Sequence, residues 1–192
     1  MKKWMLLCLV VFQCQLFAQK TFNADSIPVV DGKVVFRVEF ETDLDKKEVQ
    51  DRMIKYLNEF HEPYSGEFII NNNDFTVCRI VDYIDISSGF LNTFAMYMTY
   101  NLSFEYSDTL CVLVIQNIVF MEKEYFEIKE EAKTFRTREL DMPEYSAEDI
   151  MIDGNYKVLM IPKASKKVTE ASVEKINSII EEINTFIYRK RF

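Results

Sequence analysis

FAMYMTYNLSFEY, residues 94–106, decides the fold, because its apolar and polar residues alternate strictly along the chain. The even positions read Phe, Met, Met, Tyr, Leu, Phe and Tyr, whereas the odd positions read Ala, Tyr, Thr, Asn, Ser and Glu. A period of two is typical of a β-strand with one buried and one open face. VVFRVEFE, residues 34–41, again places its apolar residues at even positions. The two segments predict a mostly antiparallel sheet whose even-numbered face is buried.

Neighbouring segments extend this sheet. Asp31-Gly32 predicts a tight hairpin turn after a short strand at Ile27–Val30. Phe75–Ile86 has mixed parity, which predicts a strand interrupted by a bulge. Thr109–Met121 is apolar on both sides and predicts a central strand, entered through a turn at Ser107-Asp108.

Two segments carry a helical period instead. One lies between Leu44 and Phe60, with Thr42 or Asp43 as its N-cap. The other lies near the end of the chain and has an apolar stripe of Ile176, Ile179, Ile180, Ile183, Phe186 and Ile187. Because each helix has one apolar side, both are expected on the same face of the sheet. The predicted class is α+β, a mostly antiparallel sheet with two main helices on one face.

The first nineteen residues, MKKWMLLCLVVFQCQLFAQ, have the pattern of an export signal. Lys2 and Lys3 precede an apolar stretch too short to span a bilayer, and residues 16–18 form a plausible cleavage site. Cys8 and Cys14 lack the small preceding residue that lipid attachment requires. We therefore expect a signal peptide at residues 1–19 and an exported product, periplasmic or extracellular, without a stable membrane anchor.

Residues 20–192 are expected to form a single α+β domain, with a less regular, charged insert at about 122–153 and a short helix near Ser146–Asp149. The formal net charge is −8, and removal of two lysines with the signal makes it −10. This sign argues against nucleic acid as a partner, since phosphates attract clustered Lys and Arg. The basic cluster Arg189-Lys190-Arg191 ends a predicted helix, where cations complement the helix dipole.

Familiar catalytic and metal-binding patterns are missing from the sequence. His61 is the single histidine, which excludes a two-histidine metal site within one chain. Cys78 and Cys111 fall in apolar strand-like runs, which are typical of buried free thiols, and a disulfide between them is the alternative in an oxidising compartment. We expect no metal, no cofactor and no catalytic residue of a familiar class.

The odd-numbered side of the sheet is the candidate binding surface. Its residues are Arg37, Glu39, Glu41, Tyr97, Thr99, Asn101 and Ser103. A partly polar sheet face of this kind suits an unknown protein or glycan partner. Odd residues of the central strand, from Cys111 to Val119, are too apolar for solvent, so we expect the 122–153 insert, a second copy or a partner to cover them.

A resemblance to a known family rests on IPVVDGKVVF, residues 27–36, on Tyr56-Leu57, and on the strand pair around Tyr100–Phe104 and Ile115–Ile118. These residues resemble a secreted family, found chiefly in Bacteroidetes, that is known as domain of unknown function 4468. The resemblance covers about Ile27–Phe120 and implies export and a fold like that of the TATA-box-binding protein. The family tends to have Trp-Leu where this chain has Tyr-Leu, and the turn at Ser107-Asp108 lacks the expected Asp-Gly. No activity is established for the family, so the resemblance implies no mechanism.

Two triplets are similar to the short Asp-Ser/Thr-apolar acceptor of O-glycosylation in exported proteins of these bacteria. They place candidate acceptors at Ser26, in Asp25-Ser26-Ile27, and at Thr109, in Asp108-Thr109-Leu110.

The sequence thus favours an exported, non-catalytic binding or assembly module with an unknown partner. One alternative is a hydrolase of glycans or small molecules that uses Glu39 and Glu41, since same-face neighbours on a strand lie about 7 Å apart. The other alternative is a structural homodimer formed through the apolar odd face.

Overall fold

The computed structural model describes residues 21–59, 66–87, 93–134, 141–157 and 163–188. The predicted signal peptide, His61 and the Arg189–Arg191 cluster lie outside the described residues.

The predicted strands and helices occur in the predicted order. The strands are β1 Val29–Val30, β2 Lys33–Val34, β3 Phe36–Glu41, β4 Glu67–Asn71, β5 Phe75–Ser87, β6 Thr93–Tyr106, β7 Leu110–Glu122 and β8 Tyr145–Ser146. The helices are α1 Lys46–Glu59, α2 Lys123–Thr134 and α3 Ala164–Tyr188, with a π-helical turn at Glu148–Ile152. Within the described residues, the structure adds two strands, β4 and β8, and one helix, α2.

The main sheet is antiparallel throughout, in the strand order β3-β7-β6-β5-β4, and β8 pairs with the far end of β7. β1 and β2 form a separate hairpin. Asp31 and Gly32 have φ angles of 51° and 76°, which a type I′ turn requires at both central positions. The predicted hairpin is therefore confirmed. The predicted turn at Ser107-Asp108 is confirmed as well, because β6 ends at Tyr106 and β7 begins at Leu110.

The core lies between the even-numbered face of the sheet and the helices α1 and α3. Val34, Phe36, Val38 and Phe40 are buried from β2 and β3, and the even residues of β6 from Met96 to Tyr106 are buried as well. Isoleucines from 176 to 187 supply the facing stripe of α3. The predicted α+β class, with two main helices on one face of a mostly antiparallel sheet, is confirmed.

The sequence analysis places the odd-numbered residues of β7 on the outer face of the sheet. In the structure, part of β7 has the opposite orientation. Phe40 pairs with Cys111 and Phe36 pairs with Ile115, so the odd residues of β7 point to the core at this end of the strand. The register shifts by one residue opposite Tyr100, where exposed Asn117 has a φ of 56°. The extra residue at this bulge exchanges the two sides of the strand. Beyond the bulge it is the even residues Ile118 and Phe120 that point to the core. The apolar odd residues Cys111, Leu113 and Ile115 are thus core residues and do not belong to the outer face.

The opposite face of the sheet is partly covered by α2. Val81, Met121 and Phe126 form a small second core, against which Tyr97 and Met142 pack. α2 is a regular helix of twelve residues, and it lies within the 122–153 segment that the sequence predicts to be a less regular insert. The predicted bulge in β5 is wrong, because β5 pairs with β6 without a register shift. The mixed parity of β5 arises because α2 covers Val81, an odd residue on the outer face.

The first turn of α1 starts later than the sequence predicted. Asp45, rather than Thr42 or Asp43, accepts a hydrogen bond from the backbone N–H of Glu48 at 2.8 Å and caps the helix.

Within the described residues, no helix combines the length and apolarity that crossing a membrane would demand.

Candidate binding surface

Three cross-strand rows make up the part of the outer sheet face that α2 leaves uncovered. They are Arg37-Val114-Ser103-Val77-Ile70, Gln116-Asn101-Arg79-Glu67 and Glu39-Val112-Glu105-Phe75. We call these rows the open face. Together they span the five strands β3, β7, β6, β5 and β4 at the end where β5 begins and β6 ends.

The charged candidates lie along edge strand β3. Arg37 and Glu39 are exposed and form an ion pair of 3.2 Å. Glu41, also exposed, lies beyond the rows at the end of β3, where its backbone carbonyl accepts a hydrogen bond from the Tyr188 hydroxyl. The geometry thus gives the strand a charged, solvated border rather than an enclosed carboxylate pair.

The neutral polar candidates lie at the centre of the sheet. Asn101 stands between Gln116 and Arg79, and Ser103 stands between two valines. The Ser103 hydroxyl is buried and has no hydrogen-bond partner among the described residues. Thr99, next to the covered end, is half-buried. The Asn101 amide therefore offers donors and acceptors on a partly apolar floor, whereas the Ser103 hydroxyl is not accessible from outside.

Tyr97 is placed differently from the other candidates. Its ring stacks on Phe126 of α2, with ring centroids 4.2 Å apart, and its hydroxyl lies 3.5 Å from Glu127. Tyr97 therefore belongs to the helix-covered end of the sheet and is separated from the open face.

Edge strand β4 adds residues that the sequence patterns did not single out. All five of its residues are exposed, and Ile69 and Ile70 expose 52% and 45% of their surface. Phe75, at the start of β5, exposes 45%. An apolar trio between Gly66 and the run Asn71–Asn73 was the available signal for a strand.

A bulge interrupts β4 between Phe68 and Ile70. Phe68 pairs with Cys78, which points to the core, whereas Ile70 pairs with Val77 in the open face. The bulge therefore places Ile70, rather than Ile69, next to Val77 on the open face.

The two candidate glycosylation acceptors are both exposed. Ser26 closes a tight turn in which its N–H donates to the carbonyl of Asn23 at 3.0 Å. Thr109 lies in the turn between β6 and β7. Either hydroxyl is open to an enzyme.

Cys78 and Cys111 are buried and free. They lie on β5 and β7 with β6 between them. Two strand spacings alone amount to about 10 Å, which exceeds the roughly 7 Å limit for a disulfide, and Cys111 also lies four residues along β7 from Ile115, the residue in the cross-strand row of Cys78. Burial raises the pKa of the Cys78 thiol to about 11 and that of Cys111 to about 12, so both are neutral near pH 7. No metal-binding group of three or more Asp, Glu, Cys or His residues occurs in the described parts of the chain.

A charged cluster also lies inside the core. Asp82 is fully buried and accepts a 2.6 Å hydrogen bond from the Tyr100 hydroxyl. The ammonium of Lys175 from α3 lies 2.9 Å from the other carboxylate oxygen. Burial, followed by the charge of Asp82, raises the pKa of Tyr100 well above its usual range. The cluster fastens α3 to the sheet and is not accessible to a ligand.

Comparisons with known proteins bear on the fold. No protein-family model matches the chain, and no curated protein matches it. Among solved structures, a DUF4468 family protein from Bacteroides ovatus is 18% identical, with a TM-score of 0.65, and the match covers 90% of this chain and 95% of that one.

A TBP-like protein from Parabacteroides distasonis is 14% identical, with a TM-score of 0.59, and the match covers 86% of this chain and 99% of that one. The chain thus shares its fold with both proteins, as the sequence resemblance implied. Likeness at this level of identity describes the fold and leaves the function open.

Proposed function

We propose that the chain is an exported, non-catalytic binding or assembly module that takes a protein partner on the open face and along β4. The observation that carries the proposal is the continuity of the two surfaces. The open face runs through Val77 and Ile70 directly into an edge strand with exposed apolar side chains.

An exposed apolar edge strand is costly for a protein that works alone. Its unpaired backbone groups and apolar side chains invite strand addition, and edge strands are usually short, charged or covered for that reason. β3, the opposite edge, follows this rule with Arg37, Glu39 and Glu41. β4 has Phe68, Ile69 and Ile70 in its centre, which is what strand addition by a protein partner uses.

The open face supplies what the edge strand lacks, namely polar specificity. Asn101 provides donors and acceptors, while Val77 and Val114 provide apolar contact. A peptide strand paired with β4 would lay alternate side chains on this side of the sheet. A partly apolar patch with a polar surround is common in protein interfaces.

The carboxylates on β3 support binding rather than hydrolysis. A general acid needs a carboxyl group whose pKa is raised, usually by burial or by a neighbouring carboxylate. Glu39 is exposed and forms its ion pair with Arg37, and Glu41 is exposed at the strand end.

The alternative of a homodimer formed through an apolar odd face loses its basis, because the odd residues of β7 from Cys111 to Ile115 point to the core.

Export is part of the proposal and rests on residues 1–19. N-terminal sequencing of the protein from cell fractions is expected to give a chain that begins near Lys20, outside the cytoplasm. Recovery of the intact chain in the cytoplasm would contradict this part.

Photo-crosslinking in the producing cells tests the binding surface. A photoreactive residue placed at position 70 or 101 is expected to give the same discrete crosslinked protein, identified by mass spectrometry. Position 30 is the matched control, because Val30 is more exposed, at 55%, and lies on the separate hairpin.

Three outcomes would contradict the proposal: no discrete product from positions 70 and 101, the same product from position 30, or a crosslinked glycan in place of a protein. A product with the mass of two copies would assign the surface to self-assembly rather than to a different partner.

A further inference from the structure

A groove of about 370 Å³ lies at the other end of the same strands, next to the first turn of α2. Tyr83, Phe94 and Tyr156 are among the residues that line it. Tyr156 is buried and in ring contact with Phe94, at 6.1 Å between centroids, and with Tyr145, at 4.8 Å. The volume falls within the range of small-molecule sites, so the groove can hold a small organic group.

Three carboxylates face this aromatic groove: Asp85, Glu122 and Glu124. Glu122 is held in place, because the Tyr156 hydroxyl donates to its carboxylate at 3.1 Å. Within the described ranges, Asp85 and Glu124 have no ion-pair partner. Asp85 pairs across the strands with Ala95, whose methyl group leaves space beside the carboxylate.

A cation of the chain already uses one wall of the groove. The ammonium of Lys123 lies 5.5 Å from the centre of the Tyr83 ring, within the range of a cation–π contact. It is also 3.9 Å from Glu127, outside the groove. An ammonium group is thus accommodated against the ring of Tyr83.

The charge balance of the groove is negative. Lys123 supplies one positive charge and the N-terminal end of α2 about half of one, against three carboxylates. A ligand ammonium would supply the missing charge, and its alkyl chain would lie on the aromatic rings.

We propose that the groove binds an alkylammonium group, carried either by a free primary amine or by a lysine side chain of a peptide. The site is distinct from the open face, and its existence does not depend on the proposed function.

A titration followed by amide chemical shifts tests the proposal, with n-butylammonium chloride as the free amine and Nα-acetyl-lysine methylamide as the peptide mimic. Saturable shifts are expected around Tyr83, Ala95 and Tyr156 with either probe, and the tighter probe identifies the source. The neutral control 1-butanol is expected to produce no saturable shift. Equal shifts with 1-butanol and n-butylammonium, or no saturation with either amine, would overturn the proposal.

Two substitutions of neighbouring residues are expected to act in opposite directions. Glu124→Gln removes an attractive charge and should weaken binding about threefold, whereas Lys123→Gln removes a competing ammonium and should strengthen binding by a similar factor. Glu174→Gln, on the exposed side of α3, is the matched control and should change nothing. Changes of the same sign in both groove variants would mean that they merely disturb the structure, and would reject the charge-based site.

Discussion

At the scale of single residues, Asp82 links the sheet to α3. Its carboxylate is fully buried, and its partners are the Tyr100 hydroxyl and the Lys175 ammonium. A buried charge is tolerated only when it is paired, because desolvation of the charged group is costly. The position of α3 on the sheet is therefore fixed by a specific contact as well as by its isoleucine stripe.

Asp82→Ala is expected to lower the free energy of unfolding by about 3 kcal/mol, because it leaves the buried Tyr100 hydroxyl without its acceptor and Lys175 without its partner. Asp85→Ala is the matched control on the same strand and should change stability by less than about 0.5 kcal/mol, since Asp85 is exposed. Urea unfolding of both variants measures the difference. Equal losses would contradict the assigned role of Asp82.

The two thiols give a second prediction at this scale. In the chain prepared without residues 1–19, a thiol reagent at pH 8 is expected to react with neither Cys78 nor Cys111 until guanidinium unfolds the chain, and then with both. Burial shields them in the native state and the intervening strand β6 keeps them apart. Absence of reactive thiols in the unfolded, unreduced protein would reveal a disulfide instead.

The same burial determines the response to alkaline pH. The pKa of Cys78 is raised from about 9 to about 11 and that of Cys111 to about 12. Between these values the unfolded chain releases protons that the folded chain keeps, so the stability present below pH 9 is lost as pH rises toward 12. Urea midpoints should therefore fall from pH 8 to pH 10. A constant midpoint would contradict buried, neutral thiols.

The sequence predicts which face is buried for some strands of the sheet but not for all of them. Alternation in β3 and β6 gave the correct buried face, because each strand has one apolar side. In β7 both sides are apolar, so its facing depends on the register Phe40–Cys111 and on the bulge at Asn117. Neither the register nor the bulge has a local signal strong enough to be found without the partner strands.

At the scale of elements, α2 divides the outer face of the sheet into a covered and an open part. Its buried side is narrow: Phe126 packs on Val81 and Met121, while Ile128 and Tyr125 remain exposed. So small an apolar stripe in a charged sequence gives no clear helical period, so the sequence pattern does not predict α2. The pattern does not predict β4 either, because a fully exposed strand shows no alternation.

Phe126→Ala is expected to lower the free energy of unfolding by about 3 kcal/mol, since it removes a buried ring from the small second core and from its stack on Tyr97. Tyr125→Ala, one residue earlier and exposed, should cost less than about 1 kcal/mol. Thermal or urea unfolding distinguishes them. A negligible effect of Phe126→Ala would mean that α2 does not pack on the sheet in solution.

At the scale of the whole molecule, the two edges of the sheet have opposite character. β3 ends the sheet with charged side chains, whereas β4 ends it with exposed apolar ones that continue into the open face. The helices bury the even face completely enough that Phe36, Leu102 and Phe104 have almost no exposed surface. The open face together with β4 is therefore the surface to which we assign the proposed protein partner.

The central claim is that a protein partner binds this surface, and the dissociation constant of the partner identified by crosslinking tests it most directly. Ile70→Lys should weaken binding at least tenfold, because it places a charge where the added strand would pack. Val30→Lys, the same change at the exposed hairpin, should leave the constant unchanged. Equal constants for both variants and the unaltered protein would contradict the claim.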